Sequence, residues 1–413
     1  MGRRPGRAGS ARRWGVLSRS PHFARLFTAR AVSLLGDGVG NLALVVHVQR
    51  TEGTGKAVGL LLLAAALPRL FSPLAGAAAD RFDQRTVLAA AELAQGVLIG
   101  IAALWLPPLP VLIALLLGKS AAATISEPAG RSAVPVLADD DDLPAANSLL
   151  GALRDGGEVL GPLIGGVIIA LGGVRAGLAV DALTFVVSVP LLLRLPRLPA
   201  ERPEAGEPPS GLGRAALDGL RYTFAHPVAR CLALAFIPIG LGAADDVALP
   251  FLASALGSGP RGVGALYASV GAGLLVGYVV VARLPRRIGP AAGFMAGAAV
   301  AGLGNVLTGL APAIALAVIF QVTRGVGLAV LETNLQTLVQ RTVPRRMMGR
   351  VFANVYGVVN LSAAVSLLAG GALVDATSPR TVLVVAGLMG VLAAALAAVL
   401  LRAAGRDDLL TIP

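Results

Sequence analysis

Gly157-Glu158-Val159-Leu160-Gly161-Pro162-Leu163-Ile164-Gly165-Gly166 is the stretch whose reading decides the fold. It lies inside a long apolar run, yet four glycines and a proline fall within ten residues. In a water-soluble helix each interior glycine costs about 1 kcal/mol and an interior proline about 3 kcal/mol relative to alanine. A bilayer reverses that reasoning. Helices there approach one another through small residues, and neighbours re-satisfy the carbonyl that a proline frees. The stretch is therefore expected to form a membrane helix with one nearly bare face, against which another helix presses.

The whole chain supports a membrane setting. Of its 413 residues 55% are hydrophobic and only 14% charged, and the mean hydropathy is +0.77, far from the usage of soluble domains. That length accommodates about twelve spans of ~20 residues with their connections. The one cysteine, Cys231, excludes an intramolecular disulfide and any cysteine-based metal site. The net charge of +12 comes almost entirely from arginine, with lysine only at Lys56 and Lys119. These arginines flank apolar runs instead of forming one patch, which is the positive-inside pattern and argues against nucleic acid as a partner. The basic start (Arg3, Arg4, Arg7, Arg12, Arg13) precedes an apolar segment that begins late and is too long for a cleavable signal, so residues 1–22 read as a cytoplasmic tail.

The apolar runs predict spans at 23–48, 57–79, 86–106, 109–134, 144–171 and 176–195, then 229–256, 262–284, 290–310, 313–339, 347–374 and 380–402. Between the two sets lies a polar stretch with Pro196, Pro199, Pro203, Pro208 and Pro209. The expected organisation is a bundle at 23–195, a cytoplasmic linker at 196–228, a second bundle at 229–402 and a tail at 403–413. Even-numbered connections are arginine-rich, whereas odd-numbered ones such as Pro107-Pro108 and Ala311-Pro312 are short and nearly uncharged. Both termini should then be cytoplasmic, with the chain multi-pass in the inner (plasma) membrane. At a shift of 205 residues Lys119 falls on Arg324, Glu127 on Glu332 and Gly165-Gly166 on Gly370-Gly371. Such a parallel repeat places a site near mid-membrane between two six-helix halves.

Other chemistries find no support. No phosphate-binding G-x-x-x-x-G-K-[ST] loop occurs. His22, His47 and His226 are scattered, and Asp139 to Asp142 form one compact run instead of two spaced metal-binding clusters. No cofactor, metal or enzymatic activity is expected.

Two motifs carry a resemblance. Gly76-Ala-Ala-Ala-Asp80-Arg81-Phe-Asp83-Gln-Arg85-Thr-Val-Leu88 resembles the loop 2–3 signature of the major facilitator superfamily, G-x-L-A-D-R-x-G-R-R-x-x-L. Gly76, Asp80, Arg81, Arg85 and Leu88 match it, whereas Ala78, Asp83 and Gln84 depart from it. The loss of glycine at Asp83 bears on the tightness of the turn. The opening stretch resembles the same superfamily's fifth-helix antiporter motif, G-x-x-x-G-P-x-x-G-G, at Gly157, Gly161, Pro162, Gly165 and Gly166. The resemblance implies an all-α fold of twelve transmembrane helices in two pseudo-symmetric six-helix bundles. It also implies that the loop motif latches the halves on the cytoplasmic side, and that the fifth-helix motif accompanies proton-coupled export and seats that helix against its counterpart in the other half. The loop Val134-Pro135 to Asn147-Ser148 is similar to the branch that holds macrolide and siderophore exporters.

Charges within spans are functional candidates, because each is costly unless paired or hydrated. Arg30, Ser33, Asp37 and Asn41 form one stripe on the first span, with Asp37 the deepest and a protonatable carboxylate. Lys119, Glu127 and Arg131 recur at multiples of four on the fourth span, and Arg154, Asp155 and Glu158 precede the Gly-Pro segment. Lys119 stands where the family often has an arginine of proton transfer. Asp37, Lys119, Glu127, Arg131 and Glu158 are the proton-coupling candidates. Asn41, Arg154, Asp155, Arg324 and Glu332 are the candidates for lining a substrate cavity, with Asp245, Asp246 and Asn360 as lesser ones. The expected function is export of a small amphipathic compound in exchange for protons by a monomer in the lipid bilayer. Import of a metabolite on the same fold, and a sensor without flux, remain alternatives.

Overall fold

The structure, a computed structural model, describes residues 15–72, 81–198, 212–283 and 289–403. Among them the chain is helical throughout, with no strand. Helix α1 is Pro21–Thr51, α2 is Gly55–Ala66 continued by a 3-10 turn at Leu67–Phe71, α3 is Gln84–Trp105 and α4 is Leu109–Leu137. Helices α5 and α6 run together as Leu143–Leu193 and part at Gly173, whose φ of 78° and ψ of 178° leave the helical region. Helix α7 joins Pro227–Leu241 to Asp245–Ala255 through the turn Gly242–Ala244. Then follow α8 (Gly259–Arg283), α9 (Pro290–Leu310), α10 (Ile314–Thr342), α11 (Arg345–Ala376) and α12 (Pro379–Ala403).

Among the described residues a helix thus stands at each of the twelve expected spans, and α5 ends within the Gly172-to-Arg175 connection. Ten helices among the described residues are long and apolar enough to cross a membrane, and one of them, at 54 residues, is long enough to do so twice. Their outer faces carry bare apolar side chains, among them Leu104, Leu171, Val186 and Val399, as lipid contact requires. Prolines persist inside α4, α5, α6 and α7, which a membrane helix tolerates.

Two departures from expectation have local causes. The proline-rich linker ends in a helix, Leu212–Ala225, anchored where the Asn354 side chain donates to Thr223 Oγ1 at 2.8 Å. Asp83, in the position of the motif's glycine, has ordinary φ (−58°) and caps α3 by accepting from the Arg85 and Thr86 amides at 2.9 and 3.3 Å. A capping carboxylate replaces a tight turn there.

The chain divides into two compact units, Met1–His47 with Ala64–Pro203, and Val48–Leu63 with Glu204–Pro413. The first has a core of Phe23, Leu26, Leu88, Ala129, Leu149 and Leu192. The second is built around Leu232, Phe236, Phe294, Leu335 and Val355. Within the second unit Asp375, at the end of α11, accepts the amides of Gly55 and Lys56 at 2.5 and 3.1 Å. Those are free donors of the first turn of α2, which a carboxylate satisfies well.

Candidate functional site

In the first unit the glycines of the decisive stretch are buried, while Leu160, Leu163 and Ile164 on the other side of the helix are exposed. The bare face lies on α1. A Cβ at Gly161 would sit 2.8 Å from the Gly38 Cα, and one at Gly165 would sit 3.1 Å from the Val39 Cα. Within this unit α1 thus supplies its own glycine at the crossing, and Gly157, Gly161 and Gly165 all pack on it. The second unit repeats the arrangement between α11 and α7, where a Cβ at Gly370 would meet Ala244 and the Ser366 hydroxyl donates to the Leu241 carbonyl at 2.5 Å.

Close approach of α1 brings Asp37 to Lys119. Lys119 is 4% exposed, and its Nζ lies 2.8 Å from Asp37 Oδ1 and 2.7 Å from Asp181 Oδ2. The ammonium also stands 5.7 Å from the Phe185 ring centroid, an added electrostatic contact. Asp181 comes from α6 and is fully buried, whereas the Asp37 side chain is 27% exposed. Gly40 makes the room: a Cβ there would come 2.6 Å from the Asp181 Cγ. One cation therefore serves two carboxylates, and Asp181 Oδ1 is buried without a hydrogen-bond partner. Beside this triad Glu92 of α3 accepts from the Ser188 hydroxyl at 2.7 Å and pairs with Arg30 at 3.6 Å.

The other candidates separate from this centre. Glu127 and Arg131 pair with each other at 2.7 Å on an exposed face of α4, away from Lys119. Arg154 and Glu158 form a loose exposed pair at 4.0 Å, with Asp155 half-buried beside them, and Asn41 and Asn360 are exposed. Arg324 is sequestered against Asp245 at 2.5 Å, and Glu332 accepts hydrogen bonds from Tyr356 and, at 3.1 Å, from Gln336. Neither Arg324 nor Glu332 is thus an unengaged cavity group. Of the loop motif, Gly76 and Asp80 lie outside the described residues, Arg81 is exposed, and Arg85 donates to the Leu195 carbonyl at 3.4 Å. The sequence reading passed over Asp181 and Glu92, although each is an acid within a long apolar run and so carried the signal used for Asp37.

The chain has clear relatives. A family model described as transmembrane secretion effector matches residues 13–410. The enterobactin exporter EntS of Escherichia coli O1:K1 is 30% identical over 343 residues, covering 81% of each chain. That of Shigella boydii serotype 18 is likewise 30% identical over 343 residues, again covering 81% of each. Among solved structures, a bacterial homologue of the iron transporter ferroportin in an inward-facing state superposes with a TM-score of 0.74 at 16% identity, covering 92% of this chain and 98% of that one. The nucleoside transporter NupG gives 0.70 at 14% identity, covering 92% and 99%. Likeness at that identity concerns the fold alone.

Proposed function

The chain belongs to the transmembrane secretion effector family of the major facilitator superfamily, and we propose that it exports a small amphipathic compound of siderophore type across the cell membrane in exchange for protons. It is a multi-pass membrane transporter. The proposal extends this to the inner membrane, a monomer, both termini cytoplasmic, and outward direction. The names of the relatives, enterobactin exporters, support the substrate class, and the antiporter-like stretch Gly157–Gly166 supports the direction.

The observation that carries proton coupling is Lys119 shared between Asp37 and Asp181. A lone buried charge is costly, and two carboxylates facing one ammonium leave one charge in surplus. A single proton removes that surplus. Asp37 is the group that reaches water, so it takes the proton, while Asp181 keeps Lys119 paired in the interior. Neutral Asp37 no longer holds α1 to α4 through Lys119, and charged Asp37 does. Substrate and proton then compete for states that differ in this pairing, and coupling follows from differential affinity. Glu127, Arg131 and Glu158, being exposed, serve at most as relays to the centre.

Everted membrane vesicles carrying the protein, with enterobactin as the probe and an imposed pH gradient, test the reading. Export predicts gradient-dependent accumulation inside the vesicles. Gradient-dependent depletion would instead establish import, and movement indifferent to the gradient would remove proton coupling.

A further inference from the structure

Within the second unit Glu332 of α10 stands half-buried in a span, ten residues before the helix ends at Thr342, about 15 Å along the axis. Its two hydrogen bonds, from the Tyr356 hydroxyl of α11 and from Gln336 Nε2 at 3.1 Å, both fall on Oε1. Oε2 accepts no hydrogen bond among the described residues, and it is not sealed from the surface. Both donors are neutral, and among the described residues no cation pairs with Glu332. Arg324, about two turns earlier on α10, is held instead by Asp245 and Gln321 in a ring that Asn305 closes. The surroundings of Glu332 are polar and open. Gln336 and Asn360 are exposed, and Asn360 follows Tyr356 by one turn on the same side of α11. The bare apolar side chains of α11, Leu361, Val365 and Leu368, stand about 120–180° round the helix from Tyr356. The polar stripe is therefore a different face from the lipid-facing one. Beside the carboxylate the Tyr356 and Phe352 rings stack, with 6.2 Å between centroids and 20° between planes.

A carboxylate within a membrane span is costly unless paired or hydrated, and it marks a site whose partner can be named. The chain offers Glu332 no counter-charge, and the groups around it favour one chemistry. The open oxygen and the Asn360 side chain can each accept from an N–H donor, and the ring faces attract a cation. A hard metal ion asks for about six oxygen ligands, and no cluster of metal-ligating side chains occurs among the described residues. We propose that Glu332, Asn360, Tyr356 and Phe352 form a binding site for an organic ammonium, the head group of an amphipathic primary amine. The ammonium pairs with Oε2, Asn360 accepts a second N–H, and the apolar body lies against the stacked rings. Gln336 is a positioning residue, because with the Tyr356 hydroxyl it holds Oε1 and leaves Oε2 to the ligand. The inference goes beyond the siderophore reading. It adds amine-bearing compounds to the ligands of the transporter and requires neither proton coupling nor an outward direction.

Isothermal titration calorimetry of the purified full chain in detergent near neutral pH, with phenylbutylamine, phenylbutanol and phenylbutanoate as probes, compares three head groups on one body. The wild type is expected to bind the amine about tenfold more tightly than the alcohol, the scale of one charge-assisted hydrogen bond, and the carboxylate most weakly. In Glu332→Gln, which keeps the shape, the amine should fall to the affinity of the alcohol, and the alcohol should bind as before. Asn360→Ala, at an exposed position, is the second variant and should weaken the amine severalfold without changing the alcohol. Equal affinities for amine and alcohol in the wild type overturn the proposal, as does a preference for the amine that both substitutions leave intact. A Glu332-dependent heat from sodium chloride alone, with none from the amine, would make the site one for a metal cation and overturn it too. None of these outcomes bears on proton-driven export, which the vesicle assay tests separately.

Discussion

Each unit buries a cation of its fourth helix against a carboxylate of its first, yet the two centres are built for different ends. Lys119 is a compact point charge with three donors, and it reaches carboxylates on two different helices, α1 and α6. Arg324 is a planar fork whose donors are divided between Asp245 and Gln321, and Asn305 closes the ring behind them. Asp37 is partly open, whereas Asp245 is sealed. A centre able to exchange partners has been placed in one unit and a centre held by neutral amides in the other. The contrast shows that a repeat in sequence, Lys119 on Arg324, preserves the ion pair while the residues around it decide how easily the pair can change.

Removing the cation gives the largest expected effect. Lys119→Met leaves Asp181 buried without a counter-charge and should cost about 3–5 kcal/mol, the range for breaking a buried pair, seen as a drop in thermal stability in detergent. Adding Asp181→Asn should recover more than half of that loss; a further loss instead would show that the two residues do not act as a pair. Arg324→Met should cost less, because Asn305 still donates to Asp245. Equal losses would erase the distinction drawn between the centres.

The helix crossing beneath the first centre comes next. Gly161→Val places side-chain atoms against the Gly38 main chain, which cannot give way, and should cost about 1–3 kcal/mol. Gly156→Ala, where a new Cβ meets nothing within 4 Å, should cost nothing and raise stability by up to about 1 kcal/mol. In the second unit Asp375→Ala removes the cap on the Gly55 and Lys56 amides and should cost about 0.5–2 kcal/mol. Smallest is Arg131→Ala, which dissolves an exposed pair with Glu127 and should move stability by less than about 1 kcal/mol.

Much of this molecule is legible in its sequence, and the limit has a physical cause. The length of apolar runs and the Gly172-to-Arg175 break mark the helices because a bilayer sets their length. Lys119 and Asp37 stand out because charge in such runs is rare. What Lys119 pairs with is a tertiary fact. It depends on Gly40 leaving space for Asp181, a residue 141 positions away in the chain, whereas spacing along α4 offers only the local pair of Glu127 with Arg131. The antiporter-like glycines likewise declare a bare face without naming the helix that covers it, and that helix is α1. The linker helix Leu212–Ala225 was hidden by the prolines before it, since they mark a break without saying where order resumes.

The central claim is that Asp37, as the water-accessible partner of Lys119, carries the proton that drives export. Uphill accumulation of the siderophore probe in everted vesicles under an imposed pH gradient, compared between wild type and Asp37→Asn, tests it most directly. The account predicts that the wild type concentrates the probe and that Asp37→Asn only equilibrates it. An Asp37→Asn protein that still concentrates the probe as the wild type does would contradict the account.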